Sequence, residues 1–499
     1  MAALKEDIQF LLNGVPKTLS GEWVFRPISD WLRYHQGLTG TKVVCAEGDC
    51  GACTILMGRF LPKKKQTRFL PVNGCIQYGY QVDGTHLITV EGIAPDTHHL
   101  SPFQESMVQN QGAQCGYCTP GFIMAMTGYL NQQASSCASP KEACLSVCQV
   151  KEAFTGNLCR CTGYEPILTA AMSETVATFE PLSKTFDTPE HQTYLERVTQ
   201  QNTLIQFEDR TVFIPNNLKE ALTFLKEMPD AKIVSGGTDT SVVCNKRGLK
   251  PQHILSLGRV FELDQLDIQD DSMTIGARVL LADLEIALKS SLPQFSNILD
   301  VYGSPQIKNA GTVSGNIANG SPIGDSLPFL LAMGAEVEVA SLAGGTRRIP
   351  FDELYTGYRT LSLKPAEIIT AVYCPLPQAR QRLYLYKVSK RKHLDISTVA
   401  SAFLLDLDVD NKITSARIAY GGVAATVIRL KEVEVFLQGK PWTLETFEQA
   451  GELAISLVKP LSDVRGSSRF RYLLVKNLLL KAFYEGHSAQ KNSLIGEAK

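Results

Sequence analysis

The chain has 499 residues, and its 49 basic against 50 acidic side chains leave a formal net charge of −1, which excludes nucleic acid and anionic membrane surfaces as expected partners. Its apolar content of 44% supplies ordinary cores, and a chain of this length divides into about three or four domains. The first residues lack a secretory hydrophobic region and no stretch is long and uncharged enough to span a bilayer, so a cytoplasmic location is predicted.

The first predicted elements are strand-like, Ile8–Leu12 and His86–Val90, and they flank Cys45, Cys50, Cys53 and Cys75. Four residues, then two, then a long gap separate these thiols, which is the plant-type ferredoxin spacing for a [2Fe-2S] cluster. Gly48 and Gly51 suit a backbone folding closely over sulfides, because they tolerate positive φ and carry no side chain. A structural zinc site is the alternative, but zinc usually takes two short Cys pairs, and only one is present here.

Apolar recurrence then predicts helices over Pro102–Gln109, Phe122–Gln132, Lys141–Ala153 and Pro166–Val176. Cys115, Cys118, Cys159 and Cys161 lie among them as two short pairs, each just before a helix start. The positive ends of helix dipoles would face an anionic second [2Fe-2S] cluster there. On spacing alone zinc competes for this quartet. Thirteen cysteines, an odd number, favour metal ligation in a reducing compartment over a disulfide framework. The remaining Cys137, Cys144, Cys148, Cys244 and Cys374 are expected to be small buried hydrophobes.

From about Ala177 to Gln206 the sequence is polar, contains Pro181 and Pro189, and reads as a linker. Beyond it come a helix, Leu218–Met228, and a strand, Ala231–Val234, running into Ser235-Gly236-Gly237-Thr238. Such a turn offers unobstructed backbone N–H groups to a pyrophosphate. A second loop, Asn309 to Asp325, carries glycines, small hydroxyls and amides, and neither loop is a GxGxxG, so a Rossmann-type NAD site is not indicated. A strand over Ala416–Val423 and a helix over Phe470–Phe483 close the pattern. The arginines of Asp463–Tyr472 are expected in helix capping and surface pairing.

The order of these motifs resembles the molybdenum hydroxylase (xanthine oxidase) family. The matching residues are the Cys45–Cys53 loop with Cys75, the Cys-Gly-Tyr-Cys-Thr-Pro-Gly run from Cys115, the Gly156–Tyr164 run and the Gly315-Asn316-Ile317 loop ending at Asp325. The resemblance implies a multidomain α+β chain. A β-grasp, ferredoxin-like [2Fe-2S] domain would cover 1–92, a helical-bundle [2Fe-2S] domain 93–178 and a linker 179–205. An FAD-binding domain of the vanillyl-alcohol-oxidase type would follow at 206–378 and a small α+β flavoprotein domain at 379–499. Ile233, Val234, Ser235, Gly236, Gly237, Thr238, Asp239 and Thr240 match the family's first FAD loop; Gly311, Thr312, Val313, Ser314, Gly315 and Asn316 match the second. By the same resemblance Asp325 accepts hydrogen bonds from FAD, Tyr302 covers it, and Ile369 and Lys387 touch it. Without the family, Tyr302 and Ile369 read equally as core and Lys387 as a surface charge. Nicotinamide contacts near Asp395 are not inferred, because His393-Leu394 stands where some relatives carry another carboxylate.

The implied role is electron transfer, with no substrate-oxidising residue in this chain. Electrons from a molybdenum-pterin centre in a partner large subunit, in a pair of heterodimers, would pass the Cys115 quartet, then the Cys45 quartet, then FAD, and reduce NAD or, alternatively, oxygen. Hypoxanthine and xanthine, oxidised to urate, are the expected substrates. An aldehyde or N-heterocycle hydroxylase is the second expectation and a non-catalytic zinc-binding scaffold the third.

Overall fold

The computed structural model describes residues 4–94, 96, 98–136, 145–173 and 179–496. They fall into two units, Met1–Glu262 with Gly303–Gly311, and Leu263–Tyr302 with Thr312–Lys499.

The first unit opens with a five-stranded sheet in the order β2-β1-β5-β3-β4, built from β1 (Ile8–Leu12), β2 (Val15–Leu19), β3 (Thr54–Leu61), β4 (Gln66–Asn73) and β5 (Thr85–Ile88). Strand β1 runs parallel to β5 and antiparallel to β2, while β3 is antiparallel to both β4 and β5. Alternation along β1 sends Ile8, Phe10 and Leu12 into a core with Val24, Ile28 and Trp31, and Leu11 to the opposite face. Leu11 meets Phe60 and Leu195 there. Leu195 belongs to the stretch expected to be a bare linker, which corrects that reading. Residues 179–205 carry Ser183–Phe186 and an eleven-residue helix, Pro189–Thr199, whose Leu195 and Val198 are fully buried. Thr188 caps it by accepting from the His191 N–H, and Pro189 occupies its first turn.

Four further helices of this unit, α1 (Pro102–Gln109), α2 (Thr119–Ser136), α3 (Val147–Ala153) and α4 (Glu165–Met172), share a core around Phe103, Phe122, Met126, Leu130 and Ile167. The second starts three residues earlier than its apolar pattern, at the Thr119-Pro120 step, and residues 141–144 and 174–176 of the expected helices lie outside the described ones. A four-stranded sheet, β6-β7-β9-β8, follows: β6 (Thr203–Phe207), β7 (Arg210–Ile214), β8 (Lys232–Val234) and β9 (His253–Ser256). Strands β7 and β8 each run parallel to β9, with α7 (Leu218–Glu227) and α8 (Thr240–Arg247) in the connections, taking Pro189–Thr199 as α6 and Ser183–Phe186 as α5. Buried Asp83 accepts from Lys5 Nζ at 3.0 Å, the Gln9 N–H at 2.8 Å and Thr203 Oγ1 at 2.9 Å, and pairs with Arg259 at 3.0 Å. Each of these bonds satisfies an otherwise costly buried charge.

The second unit holds an antiparallel sheet in the order β10-β11-β16-β12-β13, comprising β10 (Leu266–Ile268), β11 (Ser272–Gly276), β12 (Glu336–Ser341), β13 (Gly345–Pro350) and β16 (Ile368–Pro375). The pair β14 (Tyr355–Gly357) and β15 (Thr360–Leu361) precedes β16. A second antiparallel sheet runs β17 (Gln381–Val388), β18 (Val399–Leu407), β19 (Ile413–Gly421) and β20 (Ile428–Arg429). The segment Ser326–Met333 is apolar all round and every residue of it is buried in the core of this unit. The last helix, Ser468–Gly496, packs Val475, Leu479 and Ala482 with Leu444–Leu457 against the second sheet. No helix among the described residues is long and apolar enough to cross a membrane.

Candidate metal and flavin sites

The loop between the helical turn at Trp31–His35 and β3 brings Cys45, Cys50 and Cys53 to Cys75, which follows β4. The Cys45 thiol contacts Cys50 and Cys75, and Cys75 contacts Cys53. Those contacts, from Cys50 first and then Cys75, hold Cys45 well below the ordinary thiol range, while the same contacts and burial push Cys75 far above it. Backbone N–H groups of Glu47 and Cys50 point at the Cys45 sulfur, and that of Ala52 at the Cys50 sulfur. Gly51 has φ +67°, and a Cβ there would lie 2.2 Å from the Gly156 carbonyl oxygen, so only glycine allows this approach.

The second quartet is more open. Cys161 donates to Cys115 at 3.1 Å, and both are exposed. Cys118 contacts Cys159 and is pushed up to about 12, chiefly by burial. The Thr162 hydroxyl lies 3.1 Å from the Cys159 sulfur, and the Tyr117 N–H points at Cys115. The loops of the two quartets are joined directly: the Leu158 N–H donates to the Cys50 carbonyl at 3.0 Å, and Asn157 Nδ2 to the Gly51 carbonyl at 3.1 Å. Among the described residues no group of three or more His, Cys, Asp or Glu side chains is arranged to hold a metal ion as it stands; the thiols of each quartet close on one another instead. Sulfur donors gathered in fours, with N–H groups aimed at them, are the donor set an iron-sulfur group takes. Binding would displace the thiol protons.

In the same unit the segment Ile233 to Thr240 runs from the end of β8 through a turn into the first residue of α8. A Cβ on Gly236 would lie 1.8 Å from the Ala310 carbonyl oxygen and 3.1 Å from the Gly311 nitrogen, so this turn and the start of the second glycine-containing loop are in contact. Gln81 Nε2 donates to the Gly236 carbonyl at 3.1 Å. Just ahead, in the turn Pro305–Lys308, buried Gln306 donates to Thr54 Oγ1 at 3.3 Å and Asn157 Oδ1 at 2.8 Å. The close approach of the two loops at Gly236 leaves no room for a side chain, and a glycine turn leaving a strand is backbone of the kind that can cradle a phosphate.

In the second unit, Thr312 caps the helix Val313–Asn319 by accepting from the Gly315 N–H at 3.0 Å. Asn316 Oδ1 accepts from Ser326 at 2.7 Å. Asp325 is buried, with Oδ2 at 2.7 Å from Lys387 Nζ and Oδ1 accepting from the Ser397 hydroxyl. Burial pushes its carboxyl above the ordinary range, and Lys387 and Ser397 oppose that rise. Lys387, a surface charge on the family-free reading, is 3% exposed in its side chain and also donates to the Val301 carbonyl at 2.8 Å. Ile369 is buried opposite Val339, and half-buried Tyr302 packs against the same core.

Sequence reasoning missed Asn157, Gln306, Asn245 and Ser397. Each is a lone polar side chain whose partner lies 72 or more residues away, so no local spacing marks it. Two expectations are corrected. Cys148 is exposed where a buried hydrophobe was expected, because it sits on the outward face of the short helix α3, while Cys374 is buried and Cys244 half-buried. Cys137 and Cys144 lie outside the described residues. Arg471, expected at the surface, is buried and donates to the carbonyls of Thr398 at 2.6 Å and Gly422 at 2.7 Å, and to Asp463 at 2.8 Å. Arg465 does pair with Asp463 at the surface, at 3.2 Å.

Comparison with known proteins gives three family matches. Residues 205–377 match the FAD binding domain in molybdopterin dehydrogenase, 384–486 the CO dehydrogenase flavoprotein C-terminal domain, and 89–172 the [2Fe-2S] binding domain. Xanthine dehydrogenase 1 of Arabidopsis thaliana is 30% identical over 541 residues, covering 95% of this chain and 39% of that protein. Xanthine dehydrogenase of Emericella nidulans is 31% identical over 493 residues, covering 88% and 35%. The chain therefore spans less than half the length of these relatives. Among solved structures, a carbon monoxide dehydrogenase from Hydrogenophaga pseudoflava aligns with a TM-score of 0.52 at 25% identity, over 55% of this chain and 95% of that one. Quinoline 2-oxidoreductase from Pseudomonas putida 86 aligns with a TM-score of 0.50 at 25% identity, over 55% and 94%.

Proposed function

The chain belongs to the molybdenum hydroxylase family, as a member with [2Fe-2S] and FAD-binding domains, and from that premise we propose that it is the electron-transfer part of a xanthine dehydrogenase. The single observation that carries this reading is the meeting of two thiol quartets on loops hydrogen-bonded to each other, Leu158 N–H to Cys50 carbonyl. Cys45, Cys50, Cys53 and Cys75 would hold one [2Fe-2S] group, and Cys115, Cys118, Cys159 and Cys161 the other. Residues proposed to contact FAD are Ile233 to Thr240, Gly311 to Asn316, Tyr302, Asp325, Ile369 and Lys387. When bound, the iron-sulfur groups exchange single electrons and FAD exchanges them singly or in pairs. The protein's own work is positional. Backbone N–H groups at Cys45, Cys50 and Cys115 stabilise anionic sulfur, and burial of Cys53 and Cys75 keeps water from one side of the first quartet. Lys387 and Ser397 keep the Asp325 carboxylate fixed in a dry site.

The proposed partner is a molybdenum-pterin-binding large subunit and the proposed acceptor NAD. Anaerobic NAD reduction driven by xanthine, in the chain purified with that partner, is the test. Xanthine-dependent reduction supports the proposal, and reduction driven only by aldehydes or N-heterocycles replaces it with the second reading, to which the likeness to quinoline 2-oxidoreductase lends support. Purified protein holding zinc and neither iron nor flavin would overturn both.

A further inference from the structure

Helix α8 leaves the glycine-rich turn Ile233–Thr240 and lays its last turn on the first quartet's loop. Asn245 Nδ2 donates to two carbonyls there, Ala46 at 2.9 Å and Cys75 at 2.9 Å, and Asn245 Oδ1 accepts from the Tyr78 hydroxyl at 2.9 Å. The next residue, Lys246, pairs with Glu47 at 3.5 Å. Ala46 itself is held at φ +54°, a conformation that a side-chain-bearing residue adopts only when its surroundings enforce it. The Ala46 carbonyl and the Glu47 N–H belong to one peptide unit, and that N–H points at the Cys45 sulfur. A chain of hydrogen bonds thus runs from the Tyr78 hydroxyl through the Asn245 amide to the Ala46–Glu47 peptide, whose N–H faces Cys45. Bonds in series polarise one another, by roughly 10–30% per bond.

We propose that Asn245 is a positioning residue that tunes the redox potential of the first quartet, by fixing and polarising the Ala46–Glu47 peptide against the Cys45 sulfur. The inference rests on the reading of Cys45, Cys50, Cys53 and Cys75 as iron ligands. Reduction adds one electron from an external reductant such as dithionite, and no bond is made or broken. The added negative charge is stabilised by an N–H donor at sulfur and destabilised by a carbonyl oxygen left without a donor. Loss of Asn245 frees two such oxygens and lets the peptide turn. The potential of this site then falls, while the Cys115 quartet, which Asn245 does not touch, keeps its own.

The experiment is a redox titration followed by electron paramagnetic resonance, on the full chain loaded with iron and sulfide. Asn245→Leu is expected to move one of two signals to lower potential and leave the other in place. Asn245→Asp, which adds a negative charge and removes both donors, moves the same signal further down. Tyr78→Phe removes one hydroxyl at the far end of the chain and moves it down least, and it guards against a failure of the Asn245 variants to fold. Two wild-type signals whose potentials stay put in all three variants would overturn the role of Asn245 alone, as would equal movement of both. A wild-type chain with no iron-sulfur signal would instead overturn the ligand reading beneath it.

Discussion

Replacing Lys387 by methionine strips a buried carboxylate of its counter-charge. Asp325 and Lys387 are 6% and 3% exposed in their side chains and 2.7 Å apart, so water cannot take the ammonium's place. Ser397 still donates to Oδ1, but Oδ2 and the Val301 carbonyl each lose a donor. Breaking a buried pair by removing one partner costs about 3–5 kcal/mol, which for a unit of this size lowers the calorimetric transition by roughly 6–20 °C. The pH dependence has a definite sign. Burial already raises the Asp325 carboxyl above its ordinary range, and Lys387 restrains that rise. Without Lys387 the folded protein binds the proton more tightly than the unfolded chain does, so the cost is full at neutral pH and relieved as pH falls through the raised value. The deficit of Lys387→Met relative to wild type should therefore shrink as the pH is lowered from neutral through the raised value of the Asp325 carboxyl. The double variant Asp325→Asn with Lys387→Met should recover most of the loss. Calorimetry of flavin-free protein checks all three, and a deficit below about 1 kcal/mol, or one that does not change with pH, would refute the buried-pair argument.

Three other expectations follow from the same geometry. Gly236→Ala puts a Cβ 1.8 Å from the Ala310 carbonyl, a backbone atom that cannot give way cheaply; the purified variant should retain its fold by circular dichroism and lose most of its bound flavin. Gln306→Leu leaves the buried Asn157 Oδ1 without its donor and Thr54 Oγ1 with only the longer bond from Asn157 Nδ2 at 3.5 Å, and should cost about 1–3 kcal/mol in urea unfolding. His86 is held down to about 3 by burial and then by the neighbouring His191. Its neutral form accepts from the Gly14 N–H at 2.9 Å, so stability should decline as pH drops below about 6.5 toward about 3. Urea midpoints measured against pH should show that decline in wild type and a flatter profile in His86→Gln.

The parts of this molecule legible in its sequence are those set by short spacing. Cys45, Cys50 and Cys53 announce their loop because one turn of backbone must present all three sulfurs, and Ile8–Leu12 announces its strand because its residues are sorted between two faces. Helix α1 spans the residues its apolar recurrence predicts, and at its start Gln104 accepts from the Ser101 N–H while Pro102 occupies its first turn. The helix Pro189–Thr199 was hidden because Leu195 and Val198 are its only buried apolar residues, and its partner, Leu11, lies far off in sequence. Asn157, Gln306 and Asn245 were hidden for the same reason at the site. Their amides bridge loops up to 252 residues apart, and an amide carries no pattern that distinguishes such a bridge from a solvated surface. Arg471 shows the converse error, a charged residue read as solvated because its carbonyl partners, Thr398 and Gly422, belong to other strands and turns.

The central claim is that eight thiols of the first unit hold a pair of distinct iron-sulfur groups. Spin-quantified electron paramagnetic resonance of the fully reduced chain tests it most directly. The account predicts about two spins per chain in two resolvable signals, with Cys115→Ser abolishing one and leaving the other. A single signal, or none in a chain that retains its fold, would contradict it.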